Sequence, residues 1–366
     1  MSIFNLFKQN KKPSFKFSTE VVDHVADKSV FYDDSHIRDA QRSLMACNKS
    51  LNGLLPHEIL MLAYATGYKK HGNSFQQFWY YKYGVEDPQA ILDKLEKNGL
   101  IALGDAGIAI RSLKVSDLKT LTSKHNLSSS GKKNDLIQRL LSSVPISELA
   151  PDLPEPTYVL TSKGEYELKC NEYVLYIHKH PIYEVQLWQM NKWVHSDPNR
   201  PYRDFIWAEF NRRTTEYMQK RNCGYYRNNR LHMMYFLLEE DRLLSAFDML
   251  CEVLFLDTAV FEVNRYLYSD SGAKLSDYCK LPYGIVKQLE KISFQLKLNY
   301  NELFPKLCEQ FSNMSLFISL WVVSKKSFSV EDTAGLIIAQ LNNDYLIFDA
   351  VCAEYEKQFQ KYKRRP

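Results

Sequence analysis

"SSSGKKNDLIQRLL", residues Ser128 to Leu141, interrupts a chain that is otherwise rich in aromatics and poor in glycine. After the serine run, the glycine and the two lysines, Leu136, Ile137, Leu140 and Leu141 fall at i, i+1, i+4 and i+5, one stripe of a helix started by Ser130 or Gly131. Just upstream, in "SLKVSDLKTLTSKHNL" (112–127), Val115, Leu118 and Leu121 recur at three-residue spacing. Ser116 is placed as an N-cap and Leu127 closes this half. The expectation is two short amphipathic helices joined by an extended, glycine-containing link. Between Ser112 and Ser143 the six basic residues Lys114, Lys119, Lys124, Lys132, Lys133 and Arg139 face only Asp117 and Asp135, so this segment carries the whole formal net charge of +4. Clustered positive charge is the footprint of a phosphate-binding element.

The pattern resembles a SAP domain, a small helix–linker–helix DNA-binding motif. Leu113, Val115, Leu118, Leu121, Leu127, Gly131, Lys132, Lys133, Leu136, Ile137, Arg139 and Leu140 carry the resemblance, over about a tenth of the chain. It implies binding to duplex DNA, often A·T-rich and without a strict sequence. The DNA-facing positions of the family fall on Gly131, Lys132, Lys133 and Arg139, with Lys114 and Lys119 as helpers. The physics agrees: a glycine permits φ > 0 and close backbone approach, and a helix N-terminus presents unpaired N–H groups to a phosphate. The competing reading is a surface helical hairpin that happens to be basic. A unit of about thirty residues is too small to be very stable alone and should lean on its neighbours.

Further upstream, residues 56–65 read as a helix, and "PQAILDKLEKNGLI" (88–101) as a second with Gly99 at its C-terminus. A helix ending in "LEKNGLI" and running into a strand resembles the recognition helix and first wing strand of a winged-helix domain. The second wing strand that such domains continue with is "TYVLTSKGEYEL" (157–168), beyond the SAP-like segment. The module is then an insertion into the wing, with "PISELAPDLPEP" as return linker, or the two are small domains in series. On the insertion reading, replacing residues 112–155 by a short link leaves strands near Ile101–Ile110 and Tyr158–Leu160 able to pair. The second helix mixes Asp87, Asp93 and Glu96 with Lys94 and Lys97, so it suits a protein contact better than a DNA reader.

With 366 residues, 45% apolar and 13% aromatic, the chain can bury sizeable cores, and thirteen glycines are few for an all-β or doubly wound protein. Its seven cysteines form no C-x-x-C pair, which disfavours a zinc ribbon and a disulfide scaffold and points to free thiols in a reducing cytoplasm. No apolar run is long enough to cross a membrane. "MSIFNLFKQNKKPSFKF" has the wrong order for a secretory signal and reads as an arm, its apolar part making barely two helical turns. His178 and His180 would share a face on a strand, with His195 and Asp197 following, but lack further ligands at suitable spacing and read as surface histidines. Glu165, Glu167 and Lys169 in "EYELK" superficially resemble the end of a nuclease site and read as a solvated helix face. No phosphate loop, nucleophile elbow or H-E-x-x-H motif is present, and no metal, cofactor or catalytic residue is expected.

From about residue 200 the chain reads helical, with a helical hairpin around "EEDR" and further divisions at Pro282 and Pro305. Arg200, Arg203, Arg212, Arg213, Lys220, Arg221, Arg227 and Arg230 stand against Asp204, Glu209 and Glu216, interleaved with Tyr202, Trp207, Tyr217, Tyr225 and Tyr226. This mixture suits a second nucleic-acid surface centred on Arg212, Arg213, Lys220 and Arg221, and equally a charged helix face over an aromatic core. The organisation expected is a mainly α chain: an arm (1–50), a winged-helix-like unit (51–110 and 156–182), the SAP-like module (112–143), a proline-rich linker (144–155) and a C-terminal helical domain (183–366). As a whole it loosely resembles SAP-containing proteins of Gram-positive bacteria and their phages, a resemblance that implies no activity. The function expected is a non-catalytic, cytoplasmic DNA-binding protein, tethered to duplex DNA by the module and contacting an unknown protein through its C-terminal helices. The alternatives are a scaffold whose basic module meets an acidic protein or RNA, and a DNA-processing nuclease.

Overall fold

The computed structural model describes residues 34–268, 272–318 and 327–360. Most of the expected N-terminal arm, residues 1–33, lies outside them. The described residues are mainly helical and divide into two compact units, one up to Phe205 and the other from Ile206 on.

In the first unit, α1 (Ser35–Met45) buries Ile37, Ala40 and Leu44, so this part of the expected arm folds as an amphipathic helix. The hub is α2 (Pro56–Tyr64), started by Pro56 and by Glu58, whose carboxylate accepts from the Leu55 amide at 2.9 Å. Next come α3 (Phe78–Tyr83) and α4 (Pro88–Lys97). Asp87 caps α4, and Gly99 follows it at φ +67°. Strand β1 (Ile101–Leu103) pairs antiparallel with a strand more than fifty residues later, β2 (Tyr158–Leu160), Ala102 opposite Val159. The pairing continues in the Gly104 amide, which donates to the Thr157 carbonyl at 2.9 Å. Lys69 bridges Thr157 from the other side.

The first strand is shorter than expected. At Gly104 the chain leaves the sheet, because Asp105 accepts from the Ile108 amide at 2.9 Å and nucleates α5 (Ala106–Ser112). The module follows as α6 (Val115–Lys124), α7 (Lys133–Ser143) and α8 (Ile146–Leu149), and returns directly into β2. The module thus lies along the chain between two strands that pair directly with each other. After β2, α9 (Ser162–Cys170), α10 (Glu172–Lys179) and α11 (Leu187–Ser196) pack on α2. A Cβ on Gly164 would lie 2.1 Å from the Leu100 carbonyl oxygen, so α9 needs glycine there to close on the hairpin. Residues 183–205, expected with the C-terminal helices, belong to the first unit. Leu187 and Met190 are buried, and Asn191 bonds the Asn48 backbone and the Tyr173 hydroxyl at 3.1 Å.

The helix α12 (Tyr202–Gln219) contains the division between units. The second unit continues with α13 (Cys223–Glu239) and α14 (Leu243–Phe255), which pack closely around the "EEDR" corner. A π-helical segment, Leu256–Phe261, runs into α15 (Glu262–Leu267), followed by α16 (Leu275–Tyr278). The last helices are α17 (Tyr283–Gln295), α18 (Tyr300–Ile318), α19 (Val330–Leu341) and α20 (Tyr345–Phe359). Four corners share one device: Arg221, Asp241, Lys297 and Asn343 take φ of 53–58° and the next amide closes back on the preceding helix. Pro305 does not divide this region; it lies inside α18. The start signal is the reciprocal pair Asn299–Glu302, whose side chains accept each other's amides at 3.1 and 3.0 Å. All seven cysteines are free, and Cys251, Cys279 and Cys352 are buried.

Candidate nucleic-acid interface

The inserted module has a core of its own. Leu118 and Leu121 of α6 meet Leu136, Ile137 and Leu140 of α7, all at most 5% exposed. Ile110 from α5, Val144 after α7 and Leu149 from α8 complete it. The expected linker 144–155 is thus part of the module: α8 and a short 3-10 turn (Ala150–Asp152) pack on it. Lys124 fastens the turn through Asp152 at 2.5 Å. A thirty-residue pair of helices cannot bury enough apolar surface alone, and these flanking pieces supply what it lacks. Val115, expected on the apolar stripe, is 40% exposed.

Each module helix begins one residue after a lysine that serves as its N-cap, and neither is capped by serine. Lys114 is the N-cap of α6, with its amide donating to Asp117 Oδ2 at 3.2 Å; Ser116 sits in the first turn instead. Lys132 is the N-cap of α7, with its amide donating to Asp135 Oδ2 at 2.8 Å. The N3 carboxylate reaches back where a serine was expected to reach forward. Asp117 and Asp135, the two acids between Ser112 and Ser143, are thereby committed to backbone amides.

That leaves the cations. Lys114, Lys119 and Lys132 are exposed and Lys133 half-buried, and none makes a side-chain ion pair or hydrogen bond among the described residues. The amides of Lys133 and Asn134, at the start of α7, also make no hydrogen bond there. Two lysines at the positive end of a helix are unfavourable until an anion arrives. Gly131 takes φ +118°, a conformation that side-chain-bearing residues rarely adopt. Arg139 is placed differently from the lysines. Its Nη1 donates to the Ser128 carbonyl and, at 3.0 Å, to the Ser130 carbonyl.

The second candidate surface has the opposite character. Arg212 forms a fork with Glu209, both bonds 2.8 Å, and reaches Glu216 at 2.7 Å. Arg213 is 8% exposed and bonds Glu209 at 2.8 Å, while Lys220 bonds Glu216 at 2.6 Å. Burial works against ionising Glu209, but its hydrogen bonds to Arg212 and Arg213 outweigh it and hold the carboxyl below its usual range. Arg221 is exposed in the corner after α12. Of the neighbouring cations, Arg227 pairs with Asp257 at 2.5 Å and Arg230 lies 2.8 Å from Glu252. Tyr226 is buried with its hydroxyl on Glu252 at 2.6 Å, and Tyr225 stacks on Tyr217.

The remaining candidates are dispersed. His178 lies on α10, not on a strand, with its two ring nitrogens 3.0 and 2.6 Å from the hydroxyls of Tyr64 and Tyr83. Burial, then the nearby Lys82 and Lys179, push its imidazole down to about 4. His180 stacks on Tyr176, and the ring of His195 meets the Asn191 carbonyl at 2.9 Å. Among the described residues, no three His, Cys, Asp or Glu side chains are grouped to hold a metal. Glu167 is not on a solvated face: it is 2% exposed and accepts from Asn52 at 2.5 Å. Among the described residues no helix is long and apolar enough to cross a membrane.

Comparison of the chain with curated proteins and with solved structures returned no match, so the looser likeness to Gram-positive and phage proteins gains no support. One family does match: residues 109–144 are a SAP domain, a kind of module that generally binds DNA, carried here between two paired strands.

Proposed function

We propose that this chain is a non-catalytic DNA-binding protein, held on duplex DNA by its SAP domain. The observation that carries the reading is that Lys114, Lys119, Lys132 and Lys133 have no acidic partner among the described residues, while the acids of the domain, Asp117 and Asp135, are spent on helix caps. Lysines of this kind exchange only water and mobile counterions for a phosphate, and counterion release then drives binding without demanding a base sequence. A·T-rich duplexes are the expected preference. The hairpin with α2–α4 is read as a winged-helix-like protein-contact unit. Of the cations of α4, Lys94 is taken up by Glu58 at 2.6 Å, which favours a protein contact over a DNA-reading face. The second unit is read as the surface for a protein partner.

The test is a fluorescence-anisotropy titration of a labelled duplex with the full chain and with a variant in which residues 105–156 are replaced by a short glycine-serine turn. The cut begins before residue 112 because Ile110 belongs to the module core. The shortened chain should fold, since β1 and β2 already meet through Gly104 and Thr157. It should lose about 100-fold or more in duplex affinity. Undiminished duplex binding would place the DNA surface elsewhere. Equal loss of affinity for an acidic protein or RNA, with no duplex binding by the full chain, would support the scaffold reading.

A further inference from the structure

We infer that Arg139 is a positioning residue, one that sets the linker carrying Lys132 and Lys133 rather than contacting DNA itself; this rests on the DNA-binding reading above. The resemblance alone places Arg139 on the DNA face. The structure gives its guanidinium another occupation. From the second turn of α7, Nη1 reaches back across the linker and donates to the carbonyls of Ser128 and Ser130. Those two carbonyls flank the segment whose own hydrogen bonds are few: Ser128 Oγ and Ser130 Oγ lie 2.9 Å apart, and the Ser130 amide meets Ser128 Oγ at 3.4 Å. Fixing the Ser130 carbonyl fixes the peptide that leads into Gly131, the residue held at φ +118°.

The far end of the same segment is pinned by the Lys132 amide on Asp135 Oδ2 at 2.8 Å. Arg139 and Asp135 are both side chains of α7, so one helix holds the linker at Ser128 and then on either side of Gly131, at Ser130 and Lys132. Between them lies only Gly131, the residue with the widest conformational freedom. The clamp removes that freedom before DNA arrives and aims the two lysines that follow. A preordered linker loses less entropy on binding than a loose one.

The experiment uses the full chain and the variants Arg139→Lys and Arg139→Gln, each alone and combined with Lys132→Ala and Lys133→Ala. Arg139→Lys keeps the charge but ends one bond short of the position from which Nη1 meets both carbonyls. Backbone amide relaxation by NMR, without DNA, should show both variants loosening residues 128–132 while the core of α6 and α7 stays ordered. Duplex titrations should show each variant binding about fivefold more weakly than the parent, and less than twofold more weakly once Lys132 and Lys133 are absent, because the clamp acts through them. An unchanged linker order overturns the inference. So does an equal loss in both backgrounds, or an Arg139→Lys chain that binds like the parent, since those mark a direct phosphate contact. If the parent chain binds no duplex at all, the DNA reading fails, and the relaxation measurement still decides whether Arg139 holds the linker.

Discussion

Two stretches of this chain are rich in cations, Lys114 to Arg139 and Arg200 to Arg230, and the structure treats them in opposite ways. In the first, the acids sit at the N3 position of a helix and turn back to the N-cap amide, out of the lysines' way. In the second, Glu209 and Glu216 stand three and four residues from Arg212, Arg213 and Lys220 and bond them directly. The difference is one of placement rather than amount. An arginine already holding two carboxylates must surrender them to take a phosphate, and little is gained by the exchange. An unpartnered lysine gives up only water and loosely held ions. Charge counted along a sequence measures what is present; availability depends on where the nearest acids can reach.

The comparison is sharpened most by changing the lysines. Lys132→Ala with Lys133→Ala should cost about tenfold in duplex affinity near physiological salt, with an unchanged melting temperature, because neither side chain holds the fold. Gly131→Val comes next. A Cβ there falls 3.1 Å from both Cβ and Oδ2 of Asp135, so the substitution strains the backbone and crowds the cap together. The expected cost is about 1–3 kcal/mol of module stability, read as earlier hydrogen exchange in α6 and α7, with a severalfold loss of affinity.

A smaller effect tests the paired region through pH. Because the folded Glu209 carboxyl titrates below its ordinary value of 4.5, its pairing stabilises the second unit above that pH and fades as pH falls through the folded value. Glu209→Gln should therefore destabilise the chain by about 1 kcal/mol at pH 7, measured by urea denaturation, and by less at pH 3. A penalty that stays constant with pH would mean the carboxylate charge is not what the arginines hold. The smallest expected effect is on DNA: Arg212→Ala with Lys220→Ala should change duplex affinity less than twofold.

The module was legible because its information is local. The spacing of Leu118, Leu121, Leu136, Ile137 and Leu140 is a helical period, and all five are buried together. The distant pairing of β1 with β2 was also legible, since Gly99 and the return segment at Tyr158 carry turn and strand signals on their own. The missed features depend on which of two local solutions wins. Asp105 turned an apolar run, "IALGDAGIAI", from strand into helix, and Asp117 and Asp135 displaced the expected serine caps. Nothing along the sequence says that Leu149 folds back onto the module or that Glu167 is buried against Asn52, because both partners are set by tertiary packing. Arg139 illustrates the same limit. Its position on the helix was readable, but its bonds to Ser128 and Ser130 depend on the path of the linker.

The most direct test of the account is the salt dependence of duplex binding, taken as the slope of log affinity against log salt concentration, for the parent chain and two double variants. Lys132→Ala with Lys133→Ala should make the slope shallower by about two, one released counterion for each lysine, while Arg212→Ala with Lys220→Ala should leave it unchanged. The reverse pattern, a slope indifferent to Lys132 and Lys133 and shallower without Arg212 and Lys220, would contradict the claim that unpartnered lysines of the inserted SAP domain hold the DNA.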